Sequence, residues 1–575
     1  VELQHDNLQR ILQDIYHHHP DNALLLTLLR FLADEIRTAH EQQFSLPALT
    51  NRNILIGYDA DYHWQELNLE KIALAEPLGL TARAMEIGYI NLPDDYWRIF
   101  KHMYWCDKVI PAEFNQTADA IRKKNRQDMP AQSMSEQDIW LWDEKSAQAM
   151  VILNRDSKKK YRSISQTLKQ LLRTLGNLPR VYLTYRKLKQ QAYSTPIEFT
   201  DKIGVALHRP YAKQELALLS QLANIPVLLR FYAHETEQEW LETIDLIKQC
   251  RSRQHKVAVA LVQNRQVVLQ PQQWQHFLSQ IIPAIHEDVL WIEVAHAINR
   301  VKWGIWYTDE YLQLLSITAQ FQQQFPQLRL TGPAVIDFEW HRTLDALRAI
   351  PKAIHLFALS QHLYVDRRGA PENYQGKFST LEKCALLKAI AQTSKRCANR
   401  VIISEVNWPL QDTGVWSPIG SPYTAPEWFV ERPGVSEEAY ANYLIRFLLI
   451  SLTSGYIDQV FWWRLSAHGF GLVDDQQNFR LRPAFFTLQF LLQQLNDAMF
   501  TKRLPSEKHV YLLHFQKKNQ EFIIAWSTKV SIISAPWESY QLYERDGQKA
   551  DPNLSANEVI SVGEKPIYIQ HLLNI

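Results

Sequence analysis

The sequence predicts an α/β chain: a (β/α)8 barrel set between a mainly helical N-terminal region and a small antiparallel β-domain. Three observations lead there. From about residue 200, eight short β-rich runs alternate with longer helical stretches, the rhythm of βαβ units around a parallel sheet. Those runs are mostly continuous apolar segments, as expected of strands buried on both faces. At 575 residues the chain is also too long for one hydrophobic core, so three parts are expected, 1–195, 196–504 and 505–575.

Taken in order, the N-terminal region opens with Leu24, Leu25, Leu28, Leu29, Leu32 and Ile36 at helical spacing, a stripe that would face a core. Asn115 to Ser135 is polar and reads as a mobile loop. The basic run Lys158-Lys159-Lys160-Tyr161-Arg162 reads as a solvated face in preference to an anion site. Ile164, Leu168, Leu171, Leu172 and Leu175 mark a second amphipathic helix, ended by Gly176 and Pro179. The barrel strands follow as Lys202–Leu207, Pro226–Phe231, Lys256–Val262, Leu290–Val294, Leu328–Gly332, Ala353–Leu359, Arg400–Glu405 and Gln459–Arg464. After about 505, His509–Phe515, Glu521–Ser527, Ser539–Glu544, Glu558–Val562 and Pro566–His571 are strand-like runs separated by turn residues.

Composition narrows the function. A net charge of +1 leaves no global field toward nucleic acid or membrane, and no nucleic-acid partner is expected. The most apolar stretch, from Tyr443 toward Trp463, is broken by Arg446, Ser451, Ser454, Gly455 and Asp458, so no transmembrane segment is expected. Cys106, Cys250, Cys384 and Cys397 are scattered, against a disulfide framework or zinc site and in keeping with a reducing, cytoplasmic setting. The chain starts at Val1, so further sequence is expected upstream. His17, His18 and His19 cannot all point one way on a helix and read as a solvated turn; no metal and no cofactor are expected. Eighteen Trp and twenty-four Tyr suit sugar stacking or plain core filling, the core reading being favoured on composition alone.

In a barrel of this type the functional residues stand at the C-terminal ends of the strands. The second strand ends Leu229-Arg230-Phe231-Tyr232-Ala233-His234. The fourth runs Trp291-Ile292-Glu293-Val294-Ala295-His296-Ala297-Ile298-Asn299, then Lys302-Trp303-Gly304. Gly332-Pro333 and Asp337-Phe338-Glu339-Trp340 follow the fifth, and His362-Leu363-Tyr364-Val365-Asp366 the sixth. The seventh ends Ile403-Ser404-Glu405-Val406-Asn407-Trp408-Pro409, and the eighth Phe461-Trp462-Trp463-Arg464, with Ser466-Ala467-His468-Gly469 beyond. Retaining glycosidases need two carboxyl groups about 5–5.5 Å apart, one nucleophile and one acid/base. An Arg keeps the nucleophile ionised and a Tyr can hydrogen-bond it.

From about 200 to 575 the chain resembles clan A glycoside hydrolases, closest in style to family 39 with its accessory β-sandwich. The resemblance implies Glu405 as the nucleophile ending strand 7 and Arg230 as the strand-2 Arg. It also implies His362 and Tyr364 beside the nucleophile, and Trp463 or Trp462 as the floor of the sugar subsite. His296, Asn299, Glu339 and Trp408 complete the expected substrate contacts. One departure stands out. Strand 4 of the clan carries Asn-Glu-Pro, whose Glu is the acid/base; here the triplet is His296-Ala297-Ile298. Ala297 cannot transfer a proton, and a positioned acid is worth about 10²–10⁴-fold. The barrel is then a saccharide binder without catalysis, an enzyme recruiting another acid (Glu339, Asp337 or His296), or a chain whose Ala297 is an engineered change. Glu405 also reads as a structural carboxylate paired with Arg230, Trp463 and Tyr364 as core aromatics, and Glu339 and Asp337 as loop carboxylates.

A fainter resemblance covers residues 24–56. Leu32 to His40, followed by Leu46-Pro47-Ala48-Leu49-Thr50-Asn51-Arg52-Asn53, is similar to the C-lobe of bacterial lipopolysaccharide sugar kinases. Their catalytic loop reads His-x-Asp-Leu and then Asn; here Leu46 and Ala48 replace the His and Asp while Asn53 remains. That implies an inactive kinase-like remnant. The expected partner is an oligosaccharide or polysaccharide of a bacterial surface; the alternative is a non-catalytic scaffold or regulatory pseudoenzyme in lipopolysaccharide or capsule assembly.

Overall fold

The computed structural model describes residues 4–18, 23–47, 49–59, 62–69, 72–74, 78–92, 94–106, 110–125, 139–143, 147–153, 155–161, 163–365, 369–411, 413, 434–518, 520–550, 555–556 and 559–572. The chain forms two compact units. One comprises Val1–Arg162 with Pro409–Gly434, the other Ser163–Trp408 with Val435–Ile575.

In the first unit, the stripe on the helix Ala23–Glu41 is buried as expected: Leu25, Leu28, Leu29, Leu32 and Ile36 are fully inaccessible. They pack with Leu8, Ile11 and Ile15 of the helix Leu8–His18 and with Trp97 and Phe100 of the helix Asp94–Tyr104. Against these helices lies a three-stranded antiparallel sheet of Gln4–Asn7, Ile54–Tyr58 and Trp64–Leu69, which a purely helical reading misses. The expected mobile loop at 115–135 is corrected in its first half. Ala112–Asn125 is a helix whose Phe114 and Ala118 reach the core; residues 126–138 lie outside the described residues. His17 and His18 close the first helix rather than a turn, and His19 is not described. In the kinase-like stretch Leu46 is a buried core residue, while Ala48 lies outside the described residues.

The second unit begins with two helices, α1 (Ile164–Leu175) and α2 (Leu178–Gln190). The barrel strands are β1 (Ile203–Ala206), β2 (Val227–Tyr232), β3 (Val257–Val262), β4 (Val289–Val294), β5 (Leu330–Ile336), β6 (Ala358–His362), β7 (Val401–Val406) and β8 (Gln459–Trp462). All neighbours pair in parallel and β8 returns to β1, closing the barrel. Six strands fall where the apolar runs predict them, and the fifth, expected at Leu328–Gly332, starts at Leu330 and runs on to Ile336. The sixth is displaced: Ala353–Leu359 was expected, but Lys352 and Ala353 turn and the strand is Ala358–His362. Ser360, Gln361 and His362 look polar enough for a loop, yet all three are inaccessible. Gln361 and His362 have internal partners: Thr343 donates to Gln361, Gln361 to the Asp337 carbonyl, and His362 meets Glu293.

Beyond the barrel, six strands form one antiparallel sheet in the order 540–544, 567–571, 520–527, 510–517, 499–503 and 197–198. A second sheet of 531–534, 559–562 and 555–556 shares a core with it through Ile523, Leu542, Ile560 and Ile569. Ile197–Glu198, just before the barrel, thus pairs with Met499–Arg503 just after it.

Candidate active site

The barrel register sets the site in layers. Arg230 on β2 lies level with Ala260 on β3, which lies level with Glu293 on β4. His362 at the end of β6 lies level with Glu405 on β7. Because strand side chains alternate between faces, these register pairs bring charged side chains from opposite walls together inside the mouth.

Glu405 is the centre. Its carboxylate is buried, with Arg230 on Oε2 and the Tyr364 hydroxyl donating to Oε1 at 2.6 Å. Burial pushes the carboxyl pKa up, but the Arg230 charge, His362 and the Tyr364 hydrogen bond outweigh it, and Glu405 is held below the ordinary carboxylate range. The Tyr364 hydroxyl moves the other way, well above its usual value, through burial and the adjacent carboxylate. Arg230 is itself sandwiched: its guanidinium carbon lies 3.3 Å from the Trp463 ring centroid, a cation–π contact of the kind that orients a guanidinium. Trp463 therefore gives one ring face to Arg230.

The strand-4 turn is held from β3. Gln263 accepts from the His296 amide at 2.8 Å and donates to the His296 and Trp303 carbonyls at 2.9 and 2.8 Å. This clamp fixes Ala297, which is inaccessible and has a φ of 42°. Gly304 ends the turn at φ 89°, where a Cβ would come within 2.4 Å of the Arg265 nitrogen. His296 lies 4.0 Å from Glu405 through Nε2 and packs edge-on against Trp303. Burial, then Arg230, His362 and Lys302, drive its pKa well below the usual value, which favours the neutral imidazole.

Other expected site residues are placed differently. Asn299 is committed to the protein, donating to the Ile336 carbonyl at 3.0 Å and accepting from the Ile336 amide at 2.9 Å. Trp408 donates to the Gly369 carbonyl at 2.9 Å and packs among Trp462, Tyr443 and Phe447. Glu339 and Asp337 are both bound by Arg300, at 2.6 and 2.5 Å. Three further residues join the mouth without having been singled out. Lys302 is buried and its amine is brought down to about 8, burial acting first, Arg300 adding to it, and Glu405 and Asp337 opposing. Glu235, one residue beyond the His234 that closes the strand-2 motif, is raised to about 7 by burial against the pull of Arg209. Glu293 bonds His362 at 3.1 Å and receives the Ser404 hydroxyl.

Donor atoms of Glu293, His296 and His362 lie within 4.8 Å of one another, close enough to share a cation. The surroundings oppose one. Arg230 and Lys302 act on His296 as positive charges, and Glu293 already has both its oxygens bonded by His362 and Ser404. This donor set fits a hydrogen-bonded network better than a metal.

No protein-family model matches the sequence, and no curated protein matches it. Among solved structures the chain is similar to a GH30 endoxylanase from Clostridium papyrosolvens C71, at 11% identity over 66% of this chain and 98% of that one, with a TM-score of 0.42. It is similar also to a glycoside hydrolase family 30 subfamily 8 xylanase from Clostridium acetobutylicum, at 11% identity over 66% and 97% of the chains and a TM-score of 0.42. A β-glycosidase from the hyperthermophile Thermosphaera aggregans matches at 11% identity over 50% and 87%, with a TM-score of 0.34. These likenesses are loose, and the barrel itself is read from its strand pairing. They lend nothing to the kinase resemblance of residues 24–56.

Proposed function

We propose that the barrel mouth binds a saccharide of a bacterial surface polysaccharide on the plan of a retaining glycosidase, with Glu405 as nucleophile and the proton donor replaced by Ala297. The observation that carries this reading is the treatment of Glu405. A buried carboxylate kept ionised by Arg230, with its second oxygen fixed by Tyr364, has the state and orientation needed to attack an anomeric carbon. His362 and His296 border it, and the Trp463 face opposite Arg230 would floor the sugar ring. Bond breaking then depends on the leaving group. With Ala297 supplying no proton, an ordinary sugar alcohol leaves poorly and the glycan is held, whereas an acidic phenol departs unaided. Asp337 and Glu339 are poor substitutes because Arg300 keeps both of them paired.

The test uses a panel of dinitrophenyl glycosides and intact-mass spectrometry. The expected result is a glycosyl adduct that Glu405→Gln abolishes and that azide releases as a glycosyl azide. An adduct of equal yield in Glu405→Gln would remove Glu405 from the nucleophile role and leave it a structural partner of Arg230. The second reading, a scaffold or regulatory pseudoenzyme in lipopolysaccharide or capsule assembly, is favoured by the closure of the site: Glu405 and Trp463 are each only 1% exposed. Tight association with an assembly enzyme, together with failure to bind any glycan, would select it.

A further inference from the structure

We propose that α1 and α2 form a docking surface for an anionic membrane leaflet. α1 sits on the barrel the wrong way round for a soluble amphipathic helix. Its polar face is the one that packs: Lys169 meets Asp309 at 2.5 Å, Arg173 reaches Asp309 and Asp345 at 3.3 and 3.6 Å, and Thr174 donates to the His341 carbonyl at 3.4 Å. Its apolar stripe faces outward, with Ile164 at 85% exposure, Leu172 at 63% and Leu168, Leu171 and Leu175 all at 50% or more.

α2 extends the same character. Val181 and Tyr185 are buried, while Tyr182 and Leu183 are exposed. Around them Arg180, Arg186 and Lys187 are exposed and make no ion pair among the described residues. Residues 163–190 hold six Lys or Arg and no Asp or Glu, in a chain whose net charge is only +1. Lys169, Arg173 and Lys189 are paired with Asp309, Asp345 and Glu382, and Arg180, Arg186 and Lys187 are left for a partner. The sequence enters this stretch directly from Lys158-Lys159-Lys160-Tyr161-Arg162. Large aliphatic side chains for the acyl boundary on α1, with Arg180, Arg186 and Lys187 free of ion pairs on α2 among the described residues, are the chemistry of an interfacial surface for anionic lipid. At twelve residues α1 is about 18 Å long, so it would lie in the interface rather than cross it.

The experiment is flotation of the full chain with vesicles of phosphatidylcholine alone or with about 30% phosphatidylglycerol. Binding is expected only with the anionic lipid. Replacing Arg180, Arg186 and Lys187 together by Gln should weaken it roughly a hundredfold, at the usual increment per interfacial cation. Leu168→Ser with Leu172→Ser should abolish it. All five residues are exposed, so the variants should keep the circular dichroism and melting temperature of the parent. Absence of binding to anionic vesicles, equal binding to both vesicle types, or binding unchanged in the variants would overturn the proposal. So would a dimer by light scattering that Leu172→Ser dissolves, which would make the stripe a contact between copies of the chain.

Discussion

Glu405 and Arg230 hold each other in a place where neither would be tolerated alone. Removing one partner of a buried pair strands the other charge, at a cost of about 3–5 kcal/mol. Arg230→Met should therefore destabilise the second unit by that order at neutral pH. The pH dependence should also change sign at this site. In the parent, the Glu405 pKa is depressed; its contribution to stability is present above the unfolded carboxylate pKa and is lost as pH falls through the folded value. Without Arg230, burial raises the carboxyl, and its contribution is lost as pH rises instead. Calorimetric melting between about pH 4 and 8 reads both slopes. At position 297 the prediction is a gain: Ala297→Glu should raise turnover of unactivated glycosides by about 10²–10⁴-fold over the parent, measured as released reducing ends. The φ of 42° is already tolerated by an alanine, so the longer side chain adds no new backbone penalty. These residues were legible because strand ends are where such a barrel keeps its chemistry, and Glu405, Arg230 and Tyr364 do meet. Trp408 and Asn299 obey the same rule and yet serve packing and a backbone clamp. Proximity to a strand end does not reveal which way a side chain turns.

Among elements, the strand-4 turn leans on a single neighbour. Gln263 satisfies one amide and two carbonyls there, all buried. Gln263→Ala should cost about 3 kcal/mol in denaturant unfolding, since buried backbone groups would lose their partners. If the unfolding midpoint does not move, the clamp is not what holds Ala297. The clamp was not legible, because nothing in the β3 sequence ties Gln263 to a turn some thirty residues on. The sixth strand shows the same limit from another side. Its polar residues resemble a loop when read alone, and only the facing side chains make them interior. α1 is the converse case. Its helical period was plain, as was that of Ala23–Glu41, but one stripe is buried and the other exposed. Periodicity fixes the helix and leaves open which face finds a partner.

For the molecule as a whole, the barrel and the C-terminal sheets belong to one compact unit. Arg446, inaccessible in the helix Glu437–Thr453, is bound by Glu372 at 2.9 Å and donates to the Glu564 carbonyl at 3.2 Å. Glu372 also accepts from Trp526 at 2.7 Å. Glu372→Ala would leave Arg446 without its counter-charge and should lower stability by about 3–5 kcal/mol. Barrel and sheet should still unfold in one calorimetric transition; two separated transitions would show that they are independent. The β-domain strands were readable one by one from their alternation, but the pairing of 197–198 with 499–503 was not, since strand partners three hundred residues apart leave no local trace.

Closure of the barrel has a consequence for how the protein is made. β1 takes β8 as its outer neighbour, and roughly 260 residues separate them. At about 5–20 residues per second, a nascent chain leaving the ribosome would carry the unpaired edge of β1 for roughly 13 to 50 seconds. An open strand edge is a template for the wrong partner. Yield of this protein should therefore depend on chaperones that guard growing chains, and slowed translation should lower it before any loss of stability in the finished molecule could be measured.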